Sequence, residues 1–183
     1  MPDRSKRLTF LLGGARSGKS RYAETWGREH GHHVLFVATA QALDDEMRDK
    51  IAHHQAQRPV HWTTLEAPLN VGDAIQQTLD GHDTVIVDCL TLLAANVLLS
   101  LPEDCSQDEA NAQVLTEIEG LLRAYDTSSA TWLIVSNEVG MGVVPPTRLG
   151  RLYRDALGNA NQRIAQAADE VLLFVAGLPW NLK

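Results

Sequence analysis

The sequence predicts an α/β fold, a doubly wound and mostly parallel sheet with helices on both faces. Two observations predict it. Short apolar runs rich in Val, Ile and Leu alternate with longer segments of helical periodicity, the pattern of successive strand–helix–strand units. Polar residues gather directly after those runs, at Gly13-Gly14, Thr39, Glu66, Asp88 and Asn137-Glu138. Open α/β sheets place their ligand sites at that carboxyl edge, so architecture and chemistry point to one place.

Leu8–Leu12, Val34–Val37, Val85–Val87, Trp132–Val135 and Val171–Val175 read as buried strands, with a shorter sixth around Trp62–Leu65. Between them, Ser20–His30 carries Tyr22, Ala23 and Trp26 on one side and runs into Gly31, a helix stop. Asp44–His54 opens on acidic residues, which favour a helix N-terminus. Asn70–Leu79 ends before Gly81, and Asp108–Tyr125 places Val114, Ile118, Leu121, Leu122 and Tyr125 at helical spacing. Thr147–Ala168 follows Pro145-Pro146, with Thr147 placed to cap it. The apolar run Leu92–Leu101 suits the core, a subunit interface or the wall of a substrate pocket, and Pro102–Asp108 is a polar surface loop.

Bulk properties bound the function. A chain of 183 residues makes one domain with a proper core. With 44% hydrophobic and 21% charged residues it needs neither disulfides nor metal for stability. A net charge of −7 argues against a general nucleic-acid or membrane-surface binder, while leaving room for a local basic pocket. Cys89 and Cys105 lack metal-ligand spacing and suit a reducing, cytoplasmic compartment. The run Leu8–Leu12 is too short for a signal-peptide core. No stretch approaches the roughly 20 apolar residues of a membrane span.

The segment Gly13-Gly14-Ala15-Arg16-Ser17-Gly18-Lys19-Ser20 fits the P-loop pattern G-x4-G-K-[ST] between a buried strand and a helix. Its glycines let backbone amides turn inward around phosphate oxygens. The helix that follows aims its positive dipole end at the same anion. Lys19 supplies charge to the β- and γ-phosphates, and the Ser20 hydroxyl is placed to ligate Mg²⁺. Asp88 ends its strand where a Walker B carboxylate would reach that metal. The plainer alternative for Asp88 is a cap on the next helix near Thr91, and the P-loop tips the balance toward the metal.

The stretch Asp45–His54 puts Met47, Ile51 and His54 on one face and Glu46, Asp49, Lys50 and His53 on a more polar one. His54 therefore turns toward the protein body and His53 toward solvent. An inward histidine is either a hydrogen-bonded core residue or a catalyst, and the local pattern leaves both open. A metal site shared with His61 lacks a partner at i+4 and neighbouring acidic ligands. Arg58 lies one turn past His54 if the helix continues, within reach of phosphate oxygens; otherwise it is a solvated charge before Pro59. Glu138 suits a base, a metal-shell residue or a brace for its glycine-rich loop. Arg148, Arg151 and Arg154 read as a solvated helix face, with one of them meeting a substrate phosphate as the sharper alternative.

Taken together, several stretches resemble the bifunctional adenosylcobinamide kinase/adenosylcobinamide-phosphate guanylyltransferase family. They are GGARSGKSRYAE at 13–24, VATAQALDDEM at 37–47, HHQAQRPVHW at 53–62, DCLT at 88–91, NEVGMGVVP at 137–145 and RLGRLYRDALGNANQRIAQAADEV at 148–171. Many families share the P-loop, whereas the HH-x3-RP-x2-W stretch with NEVGMGVVP is far more specific. The resemblance implies a RecA-like P-loop fold and two reactions. One phosphorylates adenosylcobinamide with ATP or GTP. The other transfers GMP from GTP to adenosylcobinamide phosphate through a histidine, at the position of His54. It implies nucleotide contacts at Gly13, Gly14, Ala15, Arg16, Ser17, Gly18, Lys19 and Ser20, at Ala38, Thr39 and Ala40, at Gln55, Ala56, Gln57 and Arg58, and at Glu66 and Asp88. It also implies a homo-oligomer, with trimers known in the family. One geometric difficulty follows: a kinase presents its acceptor to the γ-phosphate, whereas His54 must meet the α-phosphate. Either the histidine helix moves or GTP binds in a second pose.

Overall fold

A computed structural model describes residues 6–41 and 58–183. The expected helix Asp44–His54, and with it His53, His54, Gln55, Ala56 and Gln57, lies outside the described residues.

In chain order the elements are β1 (Leu8–Gly13), α1 (Lys19–His30), β2 (Val34–Ala38), β3 (Thr63–Glu66), α2 (Val71–Thr78), β4 (Thr84–Asp88), α3 (Leu90–Ser100), α4 (Gln107–Thr127), β5 (Thr131–Val135), α5 (Arg148–Ala167), β6 (Glu170–Val175) and β7 (Leu178–Asn181). The strands form one seven-stranded sheet in the order β3-β2-β4-β5-β1-β6-β7. Every neighbouring pair is parallel except β6–β7. The mostly parallel, doubly wound architecture is the one expected, because strands buried on both faces need helices on both faces.

The alternation of side chains along each strand divides the core in two. Leu8, Phe10, Leu35, Val37, Val85, Val87, Trp132 and Ile134 face one way, under α2 to α5. Leu11, Val34, Phe36, Ile86, Leu133 and Val135 face the other, against Ala23, Tyr22 and Trp26 of α1 and against Trp62. Gly27 brings α1 close: a Cβ there would lie 2.9 Å from Ile86 and 3.0 Å from Trp62.

Helix ends follow their local chemistry. Ser106 caps α4 through a full capping box with Glu109, and Thr147 caps α5 by accepting from the Gly150 amide. Gly31 does end α1, but with extended rather than left-handed backbone. Glycine is needed there for space, since a Cβ would meet Val34 at 2.5 Å. Two elements differ from expectation. The run Leu92–Leu101 is helix α3, apolar nearly all round and buried through Leu90, Leu93, Ala94, Val97 and Leu98. The edge strand β7 was not expected, because all four of its residues are exposed and none marks a buried face. No helix among the described residues is long and apolar enough to cross a membrane.

Candidate active site

The parallel register sets the carboxyl ends of the strands in one row. Glu66 pairs with Ala38, Ala38 with Asp88, Asp88 with Val135, and Val135 with Leu11, two residues before Gly13. The P-loop therefore rises from one strand and Asp88 from a strand two places away. At the usual strand spacing that separates their backbones by about 10 Å, a gap suited to a phosphate group with its metal.

The loop itself is built from special backbone positions. Gly13 has φ 149° and Gly18 φ 104°, both costly for other residues. A Cβ on Gly13 would lie 2.5 Å from the Phe174 carbonyl, and one on Gly18 would lie 3.2 Å from Gly177 Cα. The turn between β6 and β7 thus braces the loop from behind, and the Gly177 amide donates to the Ser17 carbonyl at 2.9 Å. Gly14, Ala15 and Arg16 form an exposed apex, with Arg16 in left-handed conformation. Helix α1 begins at Lys19, one residue before the expected start, and Gly18 is its N-cap without a side-chain bond. The helix start thus has no side-chain acceptor of its own there, an arrangement ready for phosphate oxygens.

Lys19 is 5% exposed. Its ammonium donates to the carbonyls of Gly13 at 2.9 Å and Gly14 at 2.7 Å, and to Ser17 Oγ at 3.4 Å. Burial lowers its pKa, while Cys89 and the Asp88 carboxylate pull the other way. The structure therefore brings Lys19 and Asp88 into one electrostatic neighbourhood. Arg58 joins it. Its guanidinium stacks on Phe36 with 3.7 Å to the ring centroid. Burial lowers its pKa, opposed by Glu24, Asp88 and Glu66. Its Nε and Nη1 are buried and have no hydrogen-bond partner among the described residues. Arg58 is thus neither a solvated charge nor a surface residue. It is a partly desolvated cation stacked on Phe36, in the field of Glu24, Asp88 and Glu66.

Asp88 is followed by a cis peptide bond to Cys89, and Cys89, not Asp88, is the N-cap of α3. Cys89 has its thiol pushed up to about 11 by burial and the neighbouring Asp88 charge. Ala38 and Thr39 are buried and Ala40 is half-exposed, while Glu66 is exposed at its strand end.

The segment after β5 is tied to the P-loop, since the Glu138 amide donates to the Gly13 carbonyl at 3.1 Å. Glu138 Oε1 accepts from the Gly140 amide at 2.6 Å, which favours a bracing role for its side chain. Sequence reasoning missed the polar frame beneath. Ser136 Oγ donates to Asn161 Oδ1 at 2.7 Å, Asn161 Nδ2 to the Asn137 carbonyl at 3.0 Å, and the Asn137 amide to Thr91 Oγ1 at 2.9 Å. The signal for these residues was a polar side chain inside an otherwise apolar stripe. The arginines of α5 keep to an exposed or half-exposed face and also hold neighbouring loops. Arg148 donates to the carbonyls of Glu103 and Cys105, and Arg151 to those of Pro145 and Pro146, so both tie loops together. Arg154 pairs with Asp155.

Comparison with known proteins decides the family. A sequence profile described as "Cobinamide kinase / cobinamide phosphate guanyltransferase" (CobU) matches residues 9–182. The chain belongs to this family. It is 39% identical over 181 residues to the bifunctional adenosylcobalamin biosynthesis protein CobU of Escherichia coli, covering 96% of this chain and 99% of that one. It is 40% identical over 181 residues to CobU of Salmonella typhimurium, with the same coverage. It is 43% identical over 174 residues to CobP of Pseudomonas aeruginosa, covering 95% and 96%. Among solved structures, the flagellar accessory protein FlaH from Methanocaldococcus jannaschii covers 98% of this chain and 79% of its own, at 14% identity and a TM-score of 0.49, a likeness too distant to bear on function. CobU membership and the mostly parallel sheet with its P-loop make this an α/β P-loop enzyme.

Proposed function

We propose that this CobU-family enzyme runs both reactions at one P-loop. In the first, the aminopropanol hydroxyl of adenosylcobinamide attacks the γ-phosphorus of ATP or GTP, giving the phosphate ester and a nucleoside diphosphate. In the second, a His54 ring nitrogen attacks the α-phosphorus of GTP. An N–P bond forms, the bond to the bridging oxygen breaks, and pyrophosphate leaves. A phosphate oxygen of adenosylcobinamide phosphate then displaces the histidine, giving adenosyl-GDP-cobinamide. The observation that carries this reading is the convergence of Lys19, Asp88, Arg58 and Glu66 at one sheet edge beside the P-loop.

The residues divide the work by position. Amides of Gly13–Ser20 and the α1 N-terminus hold the phosphates, and Lys19 exchanges loop carbonyls for phosphate oxygens. Arg58 offers its buried donors to phosphate, a planar fork suited to it. The family's nucleotide contacts at Ala38, Thr39, Ala40, Gln55, Ala56, Gln57 and Glu66 are carried over to the same role here. Ser20 and Asp88 would hold Mg²⁺. No cluster of three potential ligands exists among the described residues. The fit is nonetheless sound, because Mg²⁺ in such sites takes one or two protein oxygens and completes its shell with phosphate and water. When bound, Mg²⁺ neutralises charge developing on the phosphoryl oxygens.

The protein is read as a cytoplasmic homo-oligomer, a trimer as in the family. Exposed Leu99, Met141, Val143, Val144 and Leu149 supply apolar surface for self-association. The test of function uses the intact protein with adenosylcobinamide, Mg²⁺ and GTP labelled at either end. The γ-label should move to the corrinoid, and the α-label should appear on the protein and then in product. A protein that transfers γ-label but never carries or transfers α-label would be a kinase alone.

A further inference from the structure

Thr39 lies at the end of β2, 0% exposed, and every polar group it has is used inside the protein. Its amide donates to the Asp88 carbonyl at 3.2 Å. Its hydroxyl donates to the Cys89 carbonyl at 2.7 Å and accepts from the Cys89 amide at 2.9 Å. Its own carbonyl accepts from Asn96 Nδ2 at 2.8 Å. Asn96 is buried on α3 and donates also to the Pro68 carbonyl at 3.0 Å, two residues past Glu66. The Cys89 carbonyl accepts in addition from the Leu93 amide, in the first turn of α3. Four segments are therefore joined by two side chains, Thr39 and Asn96: the ends of β2 and β4, the chain just after β3, and the start of α3. A threonine hydroxyl has one proton and few lone pairs to give, and both kinds of bond here go to the residue that follows Asp88.

We propose that Thr39, held from behind by Asn96, is a positioning residue that sets the Asp88 carboxylate against the P-loop. The proposal rests on the reading of Asp88 as the carboxylate on the metal side. Losing a partner that orients a metal ligand typically costs about 10- to 100-fold in metal affinity. Here the orienting bonds reach the ligand's own backbone. Removing the hydroxyl leaves the Cys89 amide and carbonyl without that partner, so the Asp88 segment loses its fixed place while the P-loop, two strands away, keeps its own supports.

The test is equilibrium binding of a fluorescent GTP analogue to the full chain, first in chelator and then across a Mg²⁺ titration, with thermal melting to check folding. Thr39→Val keeps shape and removes the hydroxyl. It should raise the Mg²⁺ midpoint about tenfold, and Asn96→Leu, at a residue outside the nucleotide contacts, should do the same while leaving metal-free binding unchanged. Thr39→Ser should return the midpoint toward that of the parent. Asp88→Asn should raise the midpoint too, and the double variant should match Asp88→Asn alone, since both act through one carboxylate. If Thr39→Val does not fold, Asn96→Leu carries the same expectation. A raised midpoint in Asp88→Asn with none in Thr39→Val or Asn96→Leu overturns the clamp. Weaker metal-free binding in Asn96→Leu also overturns it, by tying this frame to the nucleotide rather than to the metal side. An unmoved midpoint in Asp88→Asn overturns the metal reading of Asp88 and the clamp with it.

Discussion

Lys19 and Cys89 show how burial and the neighbouring Asp88 charge together shape the chemistry of single residues. The Lys19 ammonium is nearly out of water and satisfied by two loop carbonyls. Trading those carbonyls for phosphate oxygens gains charge-assisted bonds without new desolvation. Lys19→Ala should therefore slow both γ-transfer and guanylyl transfer, each by about 10- to 100-fold in kcat/KM, the worth of one such bond. Loss in only one of the two assays would mean that the reactions do not share these phosphate contacts. Cys89 gives a separate check on the same edge. With its thiol pushed up to about 11 from an ordinary 9.0, its thiolate population at pH 8 is about a hundredfold lower than in an open thiol. Because the thiolate is the reactive form, alkylation by iodoacetamide should be correspondingly slow in the native protein and fast in denaturant. Equal rates in both would contradict the buried, anion-flanked setting.

At the scale of elements, the brace between the β6–β7 turn and the P-loop is the feature most open to a direct test. Gly18→Ala places a methyl group at φ 104° and 3.2 Å from Gly177 Cα, so it should cost about 1–3 kcal/mol of stability and weaken GTP binding. Gly158→Ala, on α5 with open space around it, should hold or raise the melting temperature. If Gly18→Ala melts and binds like the parent, the brace is not a constraint. The same elements show what sequence could and could not disclose. β1, β2, β4, β5 and β6 were legible because both their faces are buried in Val, Ile and Leu. α3 was legible as core but not as helix, because an element apolar on nearly all sides has no stripe to betray its period. β7 was invisible because Leu178, Trp180 and their neighbours pair only with β6 and bury nothing.

For the molecule as a whole, the sheet order places P-loop, Asp88 and Glu66 along one edge, so a site spread over half the chain converges. That convergence was legible from polar residues at strand ends. The frame that holds it was not. Asn96 bonds Thr39 and Pro68 across 57 and 28 residues, and Asn161 reaches Ser136 across 25, mostly to backbone groups that carry no sequence signal. The account's central claim is that one P-loop serves two chemistries and that a histidine separates them. The direct measurement is acid-labile label from α-labelled GTP on His54→Ala and His53→Ala, read beside γ-transfer to adenosylcobinamide. His54→Ala should carry no label and make no adenosyl-GDP-cobinamide while keeping measurable kinase activity, and His53→Ala should label like the parent. In the parent, labelling should fall at acid pH as the ring takes up a proton, because a protonated imidazole has no lone pair for attack. A full-strength acid-labile adduct on His54→Ala would contradict the account and put the nucleophile elsewhere.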